Sequence, residues 1–314
     1  MRAATITDEQ LTVEEHPDPV PTEGEVLVKV HAAGLNGADM HQLAGAYPAP
    51  PGSPPDIPGL ELAGEVVDRG PDANRFKVGD RVMSIVGGGG QAELMTVHER
   101  ILMPVPENLS WAEAGGVPEV FTTAHDAVFT QAGLVVGERL LVHGAAGGVG
   151  CAAVQLGHAA GARVTATVRN PDLRDAVSGF GAEVHAPDDF REHGPYDVIL
   201  ELVGAVNLMD NLKALNTGGR IAVIGTGAGA SGEINLGLVM MKRARIHGST
   251  LRARPLELKA LTARAMERSV LPLLASGKVR VPVAKTYPLA EAPAAYEHFK
   301  AGGKLGKIVL TMDD

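Results

Sequence analysis

The chain has 314 residues, 45% hydrophobic and 21% charged, so it can form two domains with full cores and is not expected to be disordered. Its formal net charge of −9 disfavours nonspecific binding to nucleic acid or to an anionic membrane. The single cysteine, Cys151, excludes an intrachain disulfide and a zinc site built from several thiolates. No apolar run approaches the roughly 20 residues that span a bilayer, and the N-terminus carries acids where a signal peptide is apolar. We therefore expect a soluble, cytoplasmic protein.

Short strands separated by glycine and proline dominate the chain up to about residue 110. They are predicted at Glu25–Val30, Leu62–Val67, Arg81–Val86 and Ala92–Val97. Two segments between them are predicted to lack regular structure, the proline-rich segment Tyr47–Pro55 and the glycines Gly87–Gly90. This pattern is typical of a small β-barrel-like domain.

An alternation of helices and strands follows. Ser110 and Glu113 have the spacing of a capping box, which predicts a helix that ends at Pro118. A second helix is predicted near Thr122–Gln131. The strands after it are predicted at Arg139–His143, Ala162–Val168, Val184–Ala186, Val198–Leu202, Arg220–Ile224 and Arg245–Gly248. Six parallel strands alternating with helices are typical of a doubly wound dinucleotide-binding domain.

The pattern changes again near the C-terminus. A long helix is predicted at Pro255–Ser276, which Pro272 can interrupt, and a strand at Val283–Tyr287. A helix at Ala292–Ala301 and a strand at Gly306–Leu310 close the chain. Because no helix follows this last strand, we expect it to return to the sheet of the first domain.

The segment Leu140–Leu156 carries the clearest functional pattern. A short apolar run meets a glycine cluster, with Gly144, Gly147 and Gly150 at three-residue spacing, and the chain then becomes amphipathic at helical spacing. Exposed amide groups at a helix start and the helix dipole favour a phosphate, and glycine lets the backbone approach a pyrophosphate. We interpret the segment as a dinucleotide-binding turn; the alternative is a turn needed only for packing.

The residues after the second parallel strand indicate the cofactor. The strand ends with Thr167-Val168-Arg169-Asn170 and lacks the acid that holds the ribose 2′-hydroxyl of NAD. Arg169 can pair with a 2′-phosphate, and a charge-assisted contact of roughly 1.5–3 kcal/mol corresponds to about a 10- to 200-fold preference. NADPH is therefore favoured over NADH, and the alternative is that Arg169 is a solvated surface residue.

The whole chain resembles the zinc-independent quinone oxidoreductases of the medium-chain dehydrogenase/reductase superfamily, the zeta-crystallin-like group. The segments that carry this resemblance are Met1–Ala4, Ala33–Asp39, Pro58–Glu61, Val78–Val82, His143–Gly150 and Gly306–Leu310. The segments most similar to the p53-inducible quinone reductase branch are Gly248–Arg254, Val270–Leu274 and Ser276–Val279. The resemblance implies an α/β fold in which a Rossmann doubly wound parallel sheet, residues 119–254, is inserted in a GroES-like β-barrel domain, residues 1–118 and 255–314. It also implies an active-site cleft at the junction of the two domains, and a homodimer.

This chain differs from the zinc-dependent relatives at the positions of their metal ligands, and the difference limits the reactions that it can catalyse. Those relatives place a cysteine ligand near Asn36 and a histidine beside Glu61, where this chain has Leu60. Without zinc no Lewis acid stabilises an alkoxide, which disfavours alcohol dehydrogenation and favours reduction of a conjugated acceptor. The resemblance thus implies an NADPH-dependent reductase of small-molecule quinones or α,β-unsaturated carbonyls. A nucleic-acid binder is also known in the family, but the acidic net charge argues against a nucleic-acid or membrane partner here. The alternatives are a stand-alone enoyl-thioester reductase and a non-catalytic, crystallin-like NADPH-binding protein.

The resemblance also implies site residues. Asn36 and Tyr47 match residues that line the nicotinamide and substrate cleft, where an amide can bind a hydroxyl and a phenol can stack on an acceptor or donate a proton. Their alternative roles are a turn residue and a loop anchor. The predicted cofactor contacts are Asn36, Thr123, Gly144, Ala146, Gly147, Gly148, Val149, Thr167, Arg169, Val203, Gly225, Thr226, Leu251 and Arg252. Arg252 can bind pyrophosphate or the acceptor oxygen, and its alternative is a surface charge. No metal site is expected, because His41 and His98 have no acid or cysteine at ligand spacing.

Overall fold

The computed structural model describes residues 1–312, and the chain divides into two compact units. The first unit contains Met1–Thr122, Leu251–Gly277 and the chain from Val281 onwards, and the second contains Thr123–Thr250 with Lys278–Arg280. Both units are defined by contacts between residues. The domain limits that the resemblance implies, residues 119–254 for the Rossmann domain and 1–118 with 255–314 for the GroES-like domain, stay a prediction.

Fifteen strands and ten α-helices lie within residues 1–312. The strands are β1 Arg2–Thr7, β2 Gln10–Glu15, β3 Glu25–Gly34, β4 Glu61–Arg69, β5 Arg81–Ile85, β6 Leu94–His98, β7 Met103–Pro104, β8 Arg139–Val142, β9 Arg163–Thr167, β10 Ala182–His185, β11 Tyr196–Glu201, β12 Leu215–Val223, β13 Arg245–Gly248, β14 Val283–Pro288 and β15 Lys307–Thr311. The helices are α1 Gly37–Leu43, α2 Trp111–Gly115, α3 Pro118–His125, α4 Gly148–Ala159, α5 Arg174–Ser178, α6 Leu208–Ala214, α7 Leu236–Lys242, α8 Leu256–Ser269, α9 Leu271–Ala275 and α10 Ala292–Ala301. In this part of the chain no helix has both the length and the apolar character needed to cross a membrane.

The first unit is built on a mainly antiparallel sheet. Its strand order is β14-β15-β3-β4-β5-β7, and β6 also pairs with β3. In β3 the valines Val26, Val28 and Val30 are buried while Lys29 is exposed, which is the period of two that places one face of a strand on the core. The C-terminal strand β15 runs antiparallel to β3, with Val309 opposite Gly34, so the expected return of the last strand to the first sheet is confirmed.

The second unit contains a parallel sheet of six strands in the order β10-β9-β8-β11-β12-β13. The order runs outwards in both directions from the β8–β11 pair. Since crossovers between parallel strands are right-handed, helices that lead in opposite directions lie on opposite faces of the sheet. The sheet is therefore doubly wound, and its switch point lies where β8 and β11 end.

Two prolines mark helix boundaries, Pro118 against the sequence prediction and Pro272 in agreement with it. Pro118 is the first residue of α3 rather than the end of the preceding helix, because proline fits the first helical turn, where no amide donor is needed. The helix predicted near 122–131 is the second half of α3 followed by a π-helical segment, Asp126–Gln131. Near Pro272 the long helix predicted at 255–276 divides into α8 and α9, as the residue type allows.

Candidate active site

The glycine cluster forms the turn between β8 and α4. Gly144 has φ +62°, in the left-handed region that favours glycine, and Gly147 precedes the first residue of α4. A Cβ atom on Gly150 would lie 2.5 Å from the Cα atom of Ala145, so a side chain there would prevent the helix from starting this close to the turn. The first amide groups of a helix have no acceptor within it. The turn therefore presents donors that suit an anion.

Other predicted cofactor contacts follow neighbouring strands of the same sheet. Arg169 comes two residues after β9, Val203 two residues after β11, and Gly225 and Thr226 come just after β12. Because the strands are parallel, these segments share the carboxyl edge of the sheet, which is where ligands bind in open α/β sheets. The predicted contacts within the second unit are Thr123, Gly144, Ala146, Gly147, Gly148, Val149, Thr167, Arg169, Val203, Gly225 and Thr226. The first unit holds Asn36, Tyr47, Leu251 and Arg252.

Four buried polar side chains link three of these strand ends. Nδ1 of His143 lies 2.9 Å from Oγ1 of Thr167, and its Nε2 lies 2.8 Å from Oδ1 of Asn211. The amide nitrogen of Asn211 donates to Oε2 of Glu201 at 2.7 Å. Each of the four residues is at most 3% exposed. The chain of bonds therefore holds the ends of β8, β9 and β11 in a fixed relation to α6.

The donor and acceptor of each hydrogen bond at His143 follow from the bond between Asn211 and Glu201. Since the Asn211 nitrogen donates to Glu201, its oxygen accepts from Nε2–H of His143, and Nδ1 then accepts from the Thr167 hydroxyl. Burial lowers the pKa of His143, and the charge of Glu201 opposes this shift. The imidazole is therefore neutral at pH 7. Glu201 also accepts the backbone N–H of Val203 at 2.7 Å, next to a predicted cofactor contact.

The first unit buries an ion pair beside Asn36. Nζ of Lys307 lies 2.6 Å from Oε1 of Glu61, and neither side chain is more than 2% exposed. The same ammonium donates to Oδ1 of Asn36 at 2.7 Å and to the carbonyl oxygen of Leu35 at 2.6 Å. All three of its N–H groups are thus satisfied. The second oxygen of Glu61, Oε2, accepts the backbone N–H of Glu119 at 2.7 Å.

The side chain of Asn36 takes part in this ion-pair network. Its amide nitrogen donates to Oε1 of Glu61 at 2.9 Å and to the carbonyl oxygen of Gly34 at 3.2 Å. Its oxygen accepts from Lys307, and the capping box of α1 brings the backbone N–H of Asp39 to the same side chain. The side chain of Asn36 is thus engaged within the protein, and its predicted contacts with cofactor and substrate stay predictions.

Asp39 is a second buried carboxyl group next to the ion pair. It accepts the backbone N–H of Asn36 at 2.8 Å and that of Gly59 at 3.2 Å. Burial raises the pKa of Asp39 to about 7, although the two backbone donors and Lys307 oppose the shift. A carboxyl group that titrates near neutral pH in a fully buried position couples proton binding to folding.

Arg252 is 3% exposed, so its alternative interpretation as a surface charge is wrong. Its Nε donates to the carbonyl oxygen of Gly87 at 2.7 Å, its Nη1 donates to that of Tyr47 at 2.8 Å, and its Nη2 donates to the side-chain oxygen of Gln42. The guanidinium carbon also lies 4.9 Å from the centre of the Tyr47 ring. Arg252 therefore holds the segments 47–55 and 87–90 and helix α1 together, and its contact with a cofactor stays a prediction.

Tyr47 is half-buried in this arrangement. Burial raises the pKa of its phenol, with the Arg252 charge acting in the opposite direction. The hydroxyl is therefore protonated at neutral pH and can donate a hydrogen bond.

An apolar cavity of the first unit is also lined by three polar residues that no sequence pattern indicated, Thr122, Lys259 and Thr262. Apolar side chains supply most of its wall, and they are Ile85, Ile101, Met103, Leu251 and Ala263. Oγ1 of Thr122 is buried without a hydrogen-bond partner among residues 1–312, and burial lowers the pKa of Lys259. Thr122 lies in α3 and Lys259 in α8, so no local motif could have signalled that the fold brings them together.

Comparison with known proteins decides the family. Residues 22–107 match the family described as the alcohol dehydrogenase GroES-like domain, and residues 182–310 match that described as zinc-binding dehydrogenase. Human quinone oxidoreductase is 32% identical over 306 residues, which cover 94% of this chain and 91% of that protein. The chain belongs to the quinone oxidoreductase family. It is thus a member of the medium-chain dehydrogenase/reductase superfamily, whose dehydrogenases depend on a nicotinamide cofactor.

Two further proteins are similar to this chain over nearly its whole length. The solved quinone oxidoreductase from Coxiella burnetii superposes with a TM-score of 0.82 at 26% identity, over 100% of this chain and 99% of that one. Erythronolide synthase EryA2 from Saccharopolyspora erythraea is 36% identical over 294 residues, which are 92% of this chain and 8% of that protein. These findings confirm the fold, a Rossmann sheet inserted in a GroES-like domain.

The second family description mentions zinc, but the side chains around Glu61 and Asn36 do not fit a zinc site. A zinc site needs several electron-pair donors around one point. Leu60 offers none, and the ammonium of Lys307 lies 2.6 Å from Glu61 and 2.7 Å from Asn36. A cation bound by Glu61 and Asn36 would face this buried positive charge. Glu61, Asn36 and Lys307 thus form a buried ion-pair network whose donors are already engaged with one another.

The buried carboxyl of Asp39 generates a prediction about pH and stability. Because its folded pKa of about 7 exceeds the usual 3.8, the folded protein binds more protons between these values than the unfolded chain does. The contribution of Asp39 to stability is therefore present at low pH and lost as pH rises through about 7, by at most about 1.4 kcal/mol per pH unit. We expect Asp39→Asn to remove this decline in the free energy of unfolding, measured by urea titration from pH 4.5 to 8.

Asp68→Asn is the matched control, since Asp68 is exposed. Its stability should follow the wild-type pH curve. A parallel curve for Asp39→Asn would show instead that Asp39 is already ionised at low pH in the folded protein.

Proposed function

We propose that this protein is a zinc-independent, NADPH-dependent reductase that transfers hydride to quinones or α,β-unsaturated carbonyls. The observation that carries the proposal is the buried Lys307–Glu61 pair, at the position where zinc-dependent relatives bind their metal. The 32% identity to human quinone oxidoreductase over nearly the whole chain supports the acceptor class.

The residues of the second unit fit a dinucleotide phosphate. Gly147 leaves open space above the turn, since a Cβ atom there would meet only the Gly144 carbonyl oxygen, at 3.5 Å. The amides of Gly148 and Val149 would donate to a pyrophosphate at this turn. Arg169 is exposed and is hydrogen-bonded to no residue within 1–312 through its side chain, so it can pair with a 2′-phosphate. When bound, the nicotinamide supplies the hydride.

Without a metal, the acceptor must carry the charge that arrives with the hydride. A quinone or enone delocalises this charge onto its oxygen, where a hydrogen-bond donor stabilises it. We assign this role to Tyr47, because its phenol is protonated at neutral pH and its ring is fixed by Arg252. After the hydride has reached carbon, the same hydroxyl can give its proton to the acceptor oxygen.

A second candidate function is reduction of enoyl thioesters. The observation in its favour is the 36% identity to a segment of a polyketide synthase over 92% of this chain. An open groove of the first unit also fits an extended acyl chain. It is lined by Pro50–Ser53, Gly87, Met95–His98, Arg252–Leu256 and Lys259.

An acceptor panel tests the function. With NADPH in excess, we expect kcat/KM to be highest for ortho- and para-quinones and short enones, and at least tenfold lower for enoyl thioesters. Tyr47→Phe should lower kcat on the preferred acceptor with little change in the Kd of NADPH. The reverse order of acceptors would favour the thioester reductase. Tight NADPH binding without turnover on any acceptor would favour the non-catalytic, crystallin-like alternative.

A substitution at Arg169 tests the proposed preference for NADPH over NADH. Arg169→Asp should weaken NADPH binding by at least about 10- to 200-fold, since it replaces a charge-assisted contact with a repulsive one. NADH binding should stay the same or tighten, because an acid at this position can hold the ribose 2′-hydroxyl. Titration of both cofactors by fluorescence measures this. The matched control is Arg163→Asp, at the other end of β9 and exposed in the same way. Equal affinities for the two cofactors in the wild type would contradict the assignment of Arg169.

We also propose that the protein is a homodimer joined through the second unit. Leu236, Met240 and Met241 of α7 are 69–74% exposed, and β13 is an end strand of the sheet next to them. Exposed apolar side chains beside an end strand are typical of an interface between copies.

The proposed interface predicts that positive charges placed on α7 will separate the two copies. Met240→Lys combined with Met241→Lys should give a monomer by light scattering at micromolar concentration. Val136→Lys should leave the dimer intact, because Val136 is equally exposed, at 81%, but lies elsewhere in the second unit. A wild-type monomer, or a dimer that survives the double substitution, would overturn the proposed interface.

A further inference from the structure

An end strand of the second unit carries three side chains with metal-ligand atoms. Glu183 and His185 lie two residues apart in β10, on the same face of the strand, and His193 lies in the short 3-10 turn Phe190–His193. Nε2 of His185 is 2.9 Å from Oε1 of Glu183, and Nδ1 of His193 is 3.6 Å from the same oxygen. One ligand atom from each residue lies within 4.8 Å of the other two.

These distances fit a small tetrahedral cation. Zinc binds nitrogen and oxygen at roughly 2.0–2.2 Å, which places neighbouring ligand atoms of a tetrahedron roughly 3.3–3.6 Å apart. The observed 3.6 Å lies in this range, and the 2.9 Å hydrogen bond between His185 and Glu183 has only to lengthen slightly to admit an ion. The imidazole rings of His185 and His193 are stacked, with centroids 3.5 Å apart. One of the rings must therefore turn before a nitrogen of each can face the same ion. The His193 side chain is 35% exposed and has the room to turn.

The donor set selects the class of ion. Two imidazole nitrogens and one carboxylate oxygen suit Zn²⁺ and related borderline ions, whereas Mg²⁺ and Ca²⁺ prefer oxygen ligands alone. The Glu183 side chain is 65% exposed, so water can complete the coordination. We propose that Glu183, His185 and His193 form a binding site for a divalent transition-metal ion such as Zn²⁺. This site lies in the second unit and is separate from the Lys307–Glu61 position.

A metal at this site would brace one edge of the sheet. The carbonyl oxygen of His185 accepts the backbone N–H of Val168 at 3.0 Å, next to Arg169. The carbonyl oxygen of His193 accepts from the guanidinium of Arg139 in β8. The ion would therefore join β10 to the segment before β11 and stabilise the folded second unit by binding to it alone.

Calorimetric titration with Zn²⁺ tests the proposal, on full-length protein without an affinity tag and stripped of metal. We expect one bound ion per chain at pH 7.5, unaffected by excess Mg²⁺. His193→Ala and Glu183→Gln should each raise the Kd at least tenfold. His41→Ala is the matched control, an exposed histidine outside the cluster, and should bind like the wild type. Wild-type affinity in His193→Ala, or no Zn²⁺ binding by the wild type, would overturn the site.

A second measurement does not depend on the folding of any variant. Nitrogen-15 spectra of the imidazole groups report which histidines bind an ion. Of the eleven histidines, we expect two to shift with one equivalent of Zn²⁺, in slow exchange. Shifts spread over other histidines, or absent, would show adventitious surface binding and contradict the proposal.

Discussion

The ion pair between Lys307 and Glu61 is the interaction on which the first unit depends most. A buried pair is seldom a net source of stability compared with apolar residues, but removing one partner leaves an unpaired charge at a cost of roughly 3–5 kcal/mol. Here the pair joins the start of the C-terminal strand to the start of β4, and Asn36 at the start of α1 bonds to both charges. The end of the chain is thereby required for the geometry of its first third. In the proposed function, this ammonium takes the place of the metal ion that zinc-dependent relatives are expected to hold.

In the second unit, buried hydrogen bonds fix the strand ends at the carboxyl edge of the parallel sheet. The glycine turn gives donors for an anion, and the buried bonds from Thr167 through His143 and Asn211 to Glu201 hold three strand ends in place. A neutral histidine is essential to this chain of bonds, because Nδ1 must accept while Nε2 donates. Burial keeps it neutral. This edge of the sheet is therefore preorganised. In the proposed function, Arg169, which has no described side-chain partner, pairs there with the 2′-phosphate of NADPH.

Local patterns predicted the fold well, and non-local contacts account for what they missed. The strand Arg245–Gly248 and the helix Ala292–Ala301 have the predicted bounds, since each has a clear period and clear end signals. The six-strand α/β pattern and the glycine turn are also local. The partners of Asn36 could not be predicted in this way, because Lys307 and Glu61 reach it from distant strands. Arg252 resembles any surface arginine in the sequence, and only the fold shows that its donors bind the carbonyl oxygens of Tyr47 and Gly87. The cluster of Glu183, His185 and His193 spans a strand and a turn and matches no common metal motif.

The most direct test of the account follows hydride transfer in metal-free protein. The protein is stripped with a chelator, checked by elemental analysis, and mixed with an enone and NADPH in which both hydrogens at C4 are deuterium. The account predicts deuterium on the β-carbon of the product, and a rate that does not rise when Zn²⁺ is added. Turnover only after addition of Zn²⁺, or a product without deuterium, would contradict a reductase whose buried ion pair takes the place of the metal.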